Sequence, residues 1–310
     1  MTETISAELV IDARNSIGEG PAWDAAKDRL LWTDIPAGVI YSSSSTNGKL
    51  WPITRTWKFD RPVSVVVPSA GGGLVAVVGT DILAIQEDGT ITVLAHLACD
   101  PAAVRFNDGK CDPQGRLWVG TLSLDGRSGA GAALYRLDAD GTLNTMIEDV
   151  ALSNGLGWSP DGRKFYYIDT PTLGIDVFDF HPDEGTITDR KRLVTFAKGE
   201  GRPDGLAVDS DGCLWVALFL GGQVRRYSPT GRLLATVAIS APQATSCCFG
   251  GRDGQYLFIT SAAGLVPEWR LLGAGFTREF GERAVEAPGA GGVFACRPGI
   301  GGPPATAFGR

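Results

Sequence analysis

Two carboxylates, Glu19 and Asp204, two carboxamides, Asn107 and Asn154, and one guanidinium, Arg105, lie at similar distances before a recurring landmark in this chain of 310 residues. The landmark is an apolar residue just after an Asp/Gly-rich turn: Leu31, Leu74, Leu117, Phe165, Leu214 and Leu257. Glu19 lies 12 residues before Leu31, Arg105 and Asn107 lie 12 and 10 before Leu117, Asn154 lies 11 before Phe165, and Asp204 lies 10 before Leu214. Ser246 lies 11 before Leu257. Carboxylate and carboxamide oxygens are what hard divalent cations such as Ca²⁺, Mg²⁺ or Mn²⁺ bind. A guanidinium has only donors to offer, so Arg105 suits substrate oxygens rather than a metal. Any one Asn-Gly or Asp-Gly pair reads as an ordinary turn. Four polar residues in matched register, before stretches that are otherwise apolar, read as a site.

The landmarks recur at spacings of 43, 43, 48, 49 and 43 residues, in segments such as PQGRLWVGTL, PDGRKFYYIDT and SDGCLWVALF. A second segment follows each one, as in DILAIQEDG, ALYRLDADG or QVRRYSPTG, with alternating polarity and turn residues at its end. Each unit reads as about four short antiparallel strands. Six such units predict an all-β fold, a six-bladed β-propeller over residues 1–310, because a single four-stranded sheet cannot cover both of its faces while a ring of six can. LVIDA, residues 9–13, precedes the first unit and is expected to close the ring as the outer strand of the last blade. Residues 263–290 read as a long connection within that blade. In this architecture the positions before the turns begin the innermost strands, so Glu19, Arg105, Asn107, Asn154 and Asp204 are expected to converge on one mouth of the central channel. Gly20, Gly155 and Gly205, which follow three of them, are expected to let the backbone approach closely.

Composition narrows the function. Apolar residues make up 44% of the chain, enough for a sizeable core. The net charge of −7 and the absence of any Lys/Arg run longer than the three residues Arg190-Lys191-Arg192 argue against nucleic-acid binding. No apolar stretch approaches the ~18 residues that span a bilayer, and the N-terminal MTETISAELV lacks the pattern of an export signal. The expectation is a cytoplasmic protein, a monomer or weak homo-oligomer, whose six cysteines are reduced thiols. The vicinal Cys247 and Cys248 read as small core residues. Only two histidines occur, His96 and His181, which weakens mechanisms built on a Ser-His-Asp triad or a His-rich zinc site.

The stretches GEGPAWD, RFNDGKCDPQGRLWVGT, SNGLGWSPDGRKFYYIDT, RPDGLAVDSDGCLWVA and TSCCFGG, with GGVFA at 291–295, resemble the regucalcin/gluconolactonase family, also known as the senescence marker protein and luciferin-regenerating enzyme group. The resemblance runs nearly the full length and implies a six-bladed propeller with one divalent metal in its channel, whether Ca, Zn, Mn, Mg or Fe(II). It implies Glu19, Asn154 and Asp204 as metal ligands and Arg105 and Asn107 as substrate contacts. It further implies hydrolysis of a sugar lactone. The family often carries an acidic pair after GTM. Here GTLSLDG has Leu124 and Asp125, which leaves Asp125 to meet a sugar hydroxyl and points to a different substrate choice.

Opening a lactone requires a polarised carbonyl and an activated water, and a metal supplies both. With no histidine in register, Asp204 is the candidate base, as well as or instead of a ligand. Other readings of the same residues are a hydrolase of another lactone, an ester or an organophosphate, or a non-catalytic calcium-binding regulatory propeller.

Overall fold

A computed structural model of the chain describes residues 3–45, 51–124, 131–263 and 287–309. These residues form six sheets, each built on four antiparallel strands and each one blade of a β-propeller. The innermost strands of blades 1 to 6 are Gly18–Asp24, Val63–Pro68, Val104–Cys111, Ser153–Trp158, Arg202–Val208 and Ala244–Gly250. Each turns back at an Asp/Gly-rich segment into the second strand, where the expected landmark residues sit. No helix among the described residues is long and apolar enough to cross a membrane.

The core is distributed over the ring. Apolar side chains gather into six clusters, each filling the gap between two neighbouring blades. Leu156, Trp158 and Phe165 of blade 4 meet Trp118 and Leu134 of blade 3, and Leu206, Leu214 and Val216 of blade 5 meet Tyr166 and Ile168 of blade 4. The vicinal cysteines divide between two of these clusters. Cys247 faces blade 5 and Cys248 faces blade 1, as alternation along a strand requires. Burial pushes the Cys247 thiol up to about 12, and all six cysteines are free.

Ring closure follows the expected route. Glu8–Ile11 runs antiparallel to Val293–Cys296 as the outer strand of blade 6, with Leu9 opposite Phe294. A second N-terminal strand was not foreseen: Glu3–Ser6 lies parallel to Leu233–Ala238 and gives blade 5 a fifth strand. The first eleven residues thus tie together the outer edges of two neighbouring blades. Most of the 263–290 connection, residues 264–286, falls outside the described residues.

The C-terminal residues make a further closure on the face opposite the expected site. Gly301 accepts from the Ser210 amide and hydroxyl of the blade 5 turn, and the Gly302 amide donates to Gly254 of blade 6. Ala305 donates to Trp23 of blade 1, Phe308 bonds Pro68 and Ala70 of blade 2, and Gly309 donates to Gly115 of blade 3. Ile300, Ala305 and Phe308 pack against the clusters between blades 5 and 6, 1 and 2, and 2 and 3. The segment is therefore a strap running past the turns of five successive blades.

Ending the chain after Gly299 removes these bonds and the apolar contacts with them. At ~0.5–1.5 kcal/mol for each hydrogen bond, the expected loss is about 3 kcal/mol or more, a fall of roughly 5–10 °C in melting temperature. Calorimetry of the truncated chain checks this; an unchanged melting temperature contradicts a stapling role.

Candidate functional site

All six innermost strands break register with their neighbours near the same height. The breaks fall between Glu19 and Ala22, Val63 and Val65, Phe106 and Gly109, Asn154 and Leu156, Pro203 and Leu206, and Ala244 and Ser246. Such a bulge inserts backbone on one strand and re-aims the side chains beside it. Glu19, Asn107, Asn154 and Asp204 sit at or next to these breaks, each five residues before the turn residue Asp24, Asp112, Ser159 or Asp209. They are therefore equivalent positions of four blades. Glu19, Asn154 and Asp204 are 7%, 4% and 8% exposed. Arg105 stands two residues upstream of Asn107 and is half-buried. Asp125 lies outside the described residues.

Local chemistry holds the ligand-bearing strands in place. In blade 1 the Asp34 carboxylate accepts from the amides of Ser16 (3.0 Å) and Ile17 (3.1 Å), just ahead of Gly18. In blade 4 the Asp169 carboxylate accepts from the amides of Ala151 (3.3 Å) and Leu152 (2.9 Å), just ahead of Ser153. The three glycines serve different needs. A side chain on Gly155 would meet the Asp204 carbonyl at 2.6 Å and one on Gly205 would collide with Ser246, so both permit close packing of neighbouring blades as expected. Gly20 has room around it; it is needed because its φ is +54°.

The amides form a connected network. Arg105 Nη1 donates to the Phe106 carbonyl (2.8 Å) and to Asn107 Oδ1 (3.3 Å). Asn107 Nδ2 donates to the Ser153 carbonyl and to Asn154 Oδ1, both at 2.9 Å. Asn107 and Asn154 thus join blades 3 and 4 across the rim of the channel.

Two channel residues escaped the sequence reading, although both lie within RFNDGKCDP. Asp108 is 7% exposed, and its Oδ1 accepts from the Gly109 amide at 2.7 Å. Lys110 extends its ammonium to the Leu206 carbonyl of blade 5 at 2.6 Å, past the whole of blade 4. The Asp108-Gly109 pair reads as a turn in sequence, but here it belongs to a bulge inside a strand. A lysine in a stretch that must face the channel was the available signal for Lys110.

Burial dominates the electrostatics. It pushes the Glu19 carboxyl up to about 8, with the nearby Asp108 charge adding to the effect and the Gly20 amide, Arg105 and Lys110 opposing it. Burial, then Glu19, then Asp108 hold Asp204 well above the usual carboxylate range. Asp108 is raised by burial and lowered in turn by Lys110 and the Gly109 amide. Three buried carboxyls that resist ionisation together are a poor arrangement for a bare chain and a good one for a chain that binds positive charge. Among the described residues no three Asp, Glu, His or Cys side chains converge closely enough to hold a metal by themselves. The donor set that fits a hard cation is therefore mixed: the Glu19 and Asp204 carboxylates with the Asn154 carboxamide oxygen.

The carboxyl shifts fix a pH dependence for protein stripped of divalent cations. Glu19 binds its proton more tightly in the folded than in the unfolded chain. Its contribution to stability is full below about pH 4 and is lost as pH rises through about 8. Denaturant unfolding at pH 5 and pH 9 should show a larger loss at the higher pH for wild type than for Glu19→Gln, by on the order of a few kcal/mol. Equal losses contradict the burial argument.

Comparison with known proteins places the chain in a family. Residues 17–263, which include all four ring positions, match the family described as SMP-30/Gluconolactonase/LRE-like region. A regucalcin of Danio rerio is 40% identical over 84% of this chain and 87% of its own. One of Sus scrofa is 37% identical over 94% of both. A solved luciferin-regenerating enzyme superposes with a TM-score of 0.85 at 29% identity, over 97% of this chain and 98% of its own. On the matched span and the full-length relatives together, this chain belongs to the SMP-30/gluconolactonase/LRE-like family.

Proposed function

We propose that this protein hydrolyses a sugar lactone to the corresponding sugar acid with the help of one divalent cation in the channel mouth. What carries the reading is the ring of buried oxygen donors at equivalent bulges of blades 1, 4 and 5, in a chain whose family takes part of its name from gluconolactonase. Glu19, Asn154 and Asp204 hold the cation. When bound, the cation polarises the lactone carbonyl and makes water a better nucleophile.

The residues of the chain do the rest. Asp204 accepts the proton of the attacking water. Burial and the neighbouring Glu19 hold its carboxyl well above the usual range in the bare chain, and a cation's charge nearby would favour the ionised form that can accept a proton at neutral pH. Water oxygen bonds to the lactone carbonyl carbon, the ring C–O bond breaks, and the ring oxygen leaves as a hydroxyl after taking up a proton. The product is a hydroxy acid. Arg105 and Asn107 orient substrate oxygens at the rim. Both Asn107 amide protons are committed to Ser153 and Asn154, so its remaining capacity is as an acceptor from a sugar hydroxyl. Asp125, by the family resemblance, is a further candidate contact to a sugar hydroxyl.

Three outcomes test this. Glu19→Gln and Asp204→Ala should each abolish both cation binding and turnover of aldonolactones while the blades stay folded; full activity in either variant contradicts the ligand set. A chelator should abolish wild-type turnover and added cation restore it, which separates a lactonase from a non-catalytic calcium-binding propeller. Arg105→Ala should leave cation affinity nearly intact and lower kcat/KM by roughly 10- to 200-fold, as expected for one charged hydrogen bond of ~1.5–3 kcal/mol. Lysine should rescue only in part, because it lacks the planar fork. A lower melting temperature with unchanged kinetics would show that Arg105 merely packs between blades.

A further inference from the structure

Thr170 stands behind the rim, at the start of a single 3₁₀ turn, Thr170–Thr172, that follows the second strand of blade 4. It is 3% exposed. Its hydroxyl makes two bonds of 2.8 Å: it donates to the Pro203 carbonyl, and it lies against Asn154 Nδ2. A hydroxyl has one proton. The Pro203 carbonyl can only accept, so that proton is spent there, and Thr170 must accept from Asn154.

The same reasoning runs in from the other side. The Ser153 carbonyl can only accept, so Asn107 turns its nitrogen inward, and the second proton of that nitrogen points at residue 154. Asn154 must therefore present its oxygen toward Asn107 and its nitrogen toward Thr170. Arg105, which can only donate, feeds Asn107 Oδ1 at the outer end. The result is a one-way relay: Arg105 to Asn107 to Asn154 to Thr170 to the carbonyl of Pro203. Donor-only and acceptor-only groups terminate it, and no member can flip without setting two donors or two acceptors against each other.

We infer that Thr170 is the positioning residue of the cation site: by taking the Asn154 amide proton and passing its own to Pro203, it fixes the Asn154 carboxamide oxygen toward the channel. The inference rests on the proposal that Asn154 and Asp204 are ligands. It adds a mechanical link between them, since Pro203 is the backbone neighbour of Asp204. Without the hydroxyl, Asn154 loses the one bond its nitrogen makes among the described residues and gains freedom to rotate its oxygen away. Groups that orient a metal's ligands without touching the metal commonly change its affinity by ~10–100-fold.

The test is calorimetric titration of chelator-stripped protein with Ca²⁺ and with Mn²⁺, beside the melting temperature of the stripped form. Thr170→Val keeps the shape and removes the hydroxyl, and should weaken binding by about 10-fold or more. Thr170→Ser keeps the hydroxyl and should stay within about threefold of wild type. A hydroxyl with a merely structural role would lower the melting temperature and leave affinity alone. Wild-type affinity in the valine variant, or equal weakening in valine and serine variants, overturns the inference. If the valine variant does not fold, Thr170→Ala is read the same way. Glu19→Gln keeps the two levels apart: full binding in that variant sinks the site itself, whereas lost binding there with full binding in Thr170→Val sinks only the relay.

Discussion

Side chains on a regular antiparallel strand alternate strictly between its two faces, and in a propeller those faces are filled by the neighbouring blades. A strand in perfect register would have nowhere to put a buried carboxylate except into an apolar interface such as the one formed by Ile168 and Leu206. The register break carried by every innermost strand removes that restriction. It turns a few side chains out of the interface and toward the channel at one height, and the glycines beside them leave room for the next blade. Everything proposed for the site depends on these bulges. Their positions are held by ordinary interactions: capping by Asp34 and Asp169, apolar packing below, and closure of the ring at both chain ends.

The electrostatics follow from that placement. The bulges bring Glu19 and Asp204 into mutual influence, with Asp108 beside them, in a region where each is nearly cut off from solvent. Lys110 offsets part of this negative charge from below, and its bond to Leu206 ties blade 3 to blade 5. The offset is incomplete, because the carboxyls remain raised. A site left short of positive charge by its own residues favours a cation from outside, whose charge would hold these carboxyls ionised and so able to accept a proton.

Much of this was legible in the sequence because it repeats. Six Asp/Gly turns, each followed by an apolar strand, revealed the blades, and counting back from Leu31, Leu117, Phe165 and Leu214 reached the four ring residues. The counts scattered between 10 and 12 because the landmarks lie across turns of unequal length; measured to the turn residue on the same strand, the distance is five in all four blades. What did not repeat was harder to see. Asp108 and Lys110 occur in one blade only, and Asp108-Gly109 imitates a turn. Thr170 matters through a bond to a backbone carbonyl 33 residues away, which no local pattern reports. The strand Glu3–Ser6 pairs with Leu233–Ala238, and the C-terminal strap reaches as far as Gly115. Both are contacts between distant parts of the chain, with polar and glycine-rich sequences that look like ends.

Anomalous diffraction from crystals soaked in Mn²⁺ tests the central claim most directly, because it locates the cation without reference to activity. The account predicts one strong peak in the channel mouth, within coordination distance of a Glu19 carboxylate oxygen, an Asp204 carboxylate oxygen and Asn154 Oδ1. A peak held by other residues, or an empty mouth at saturating Mn²⁺, would contradict it.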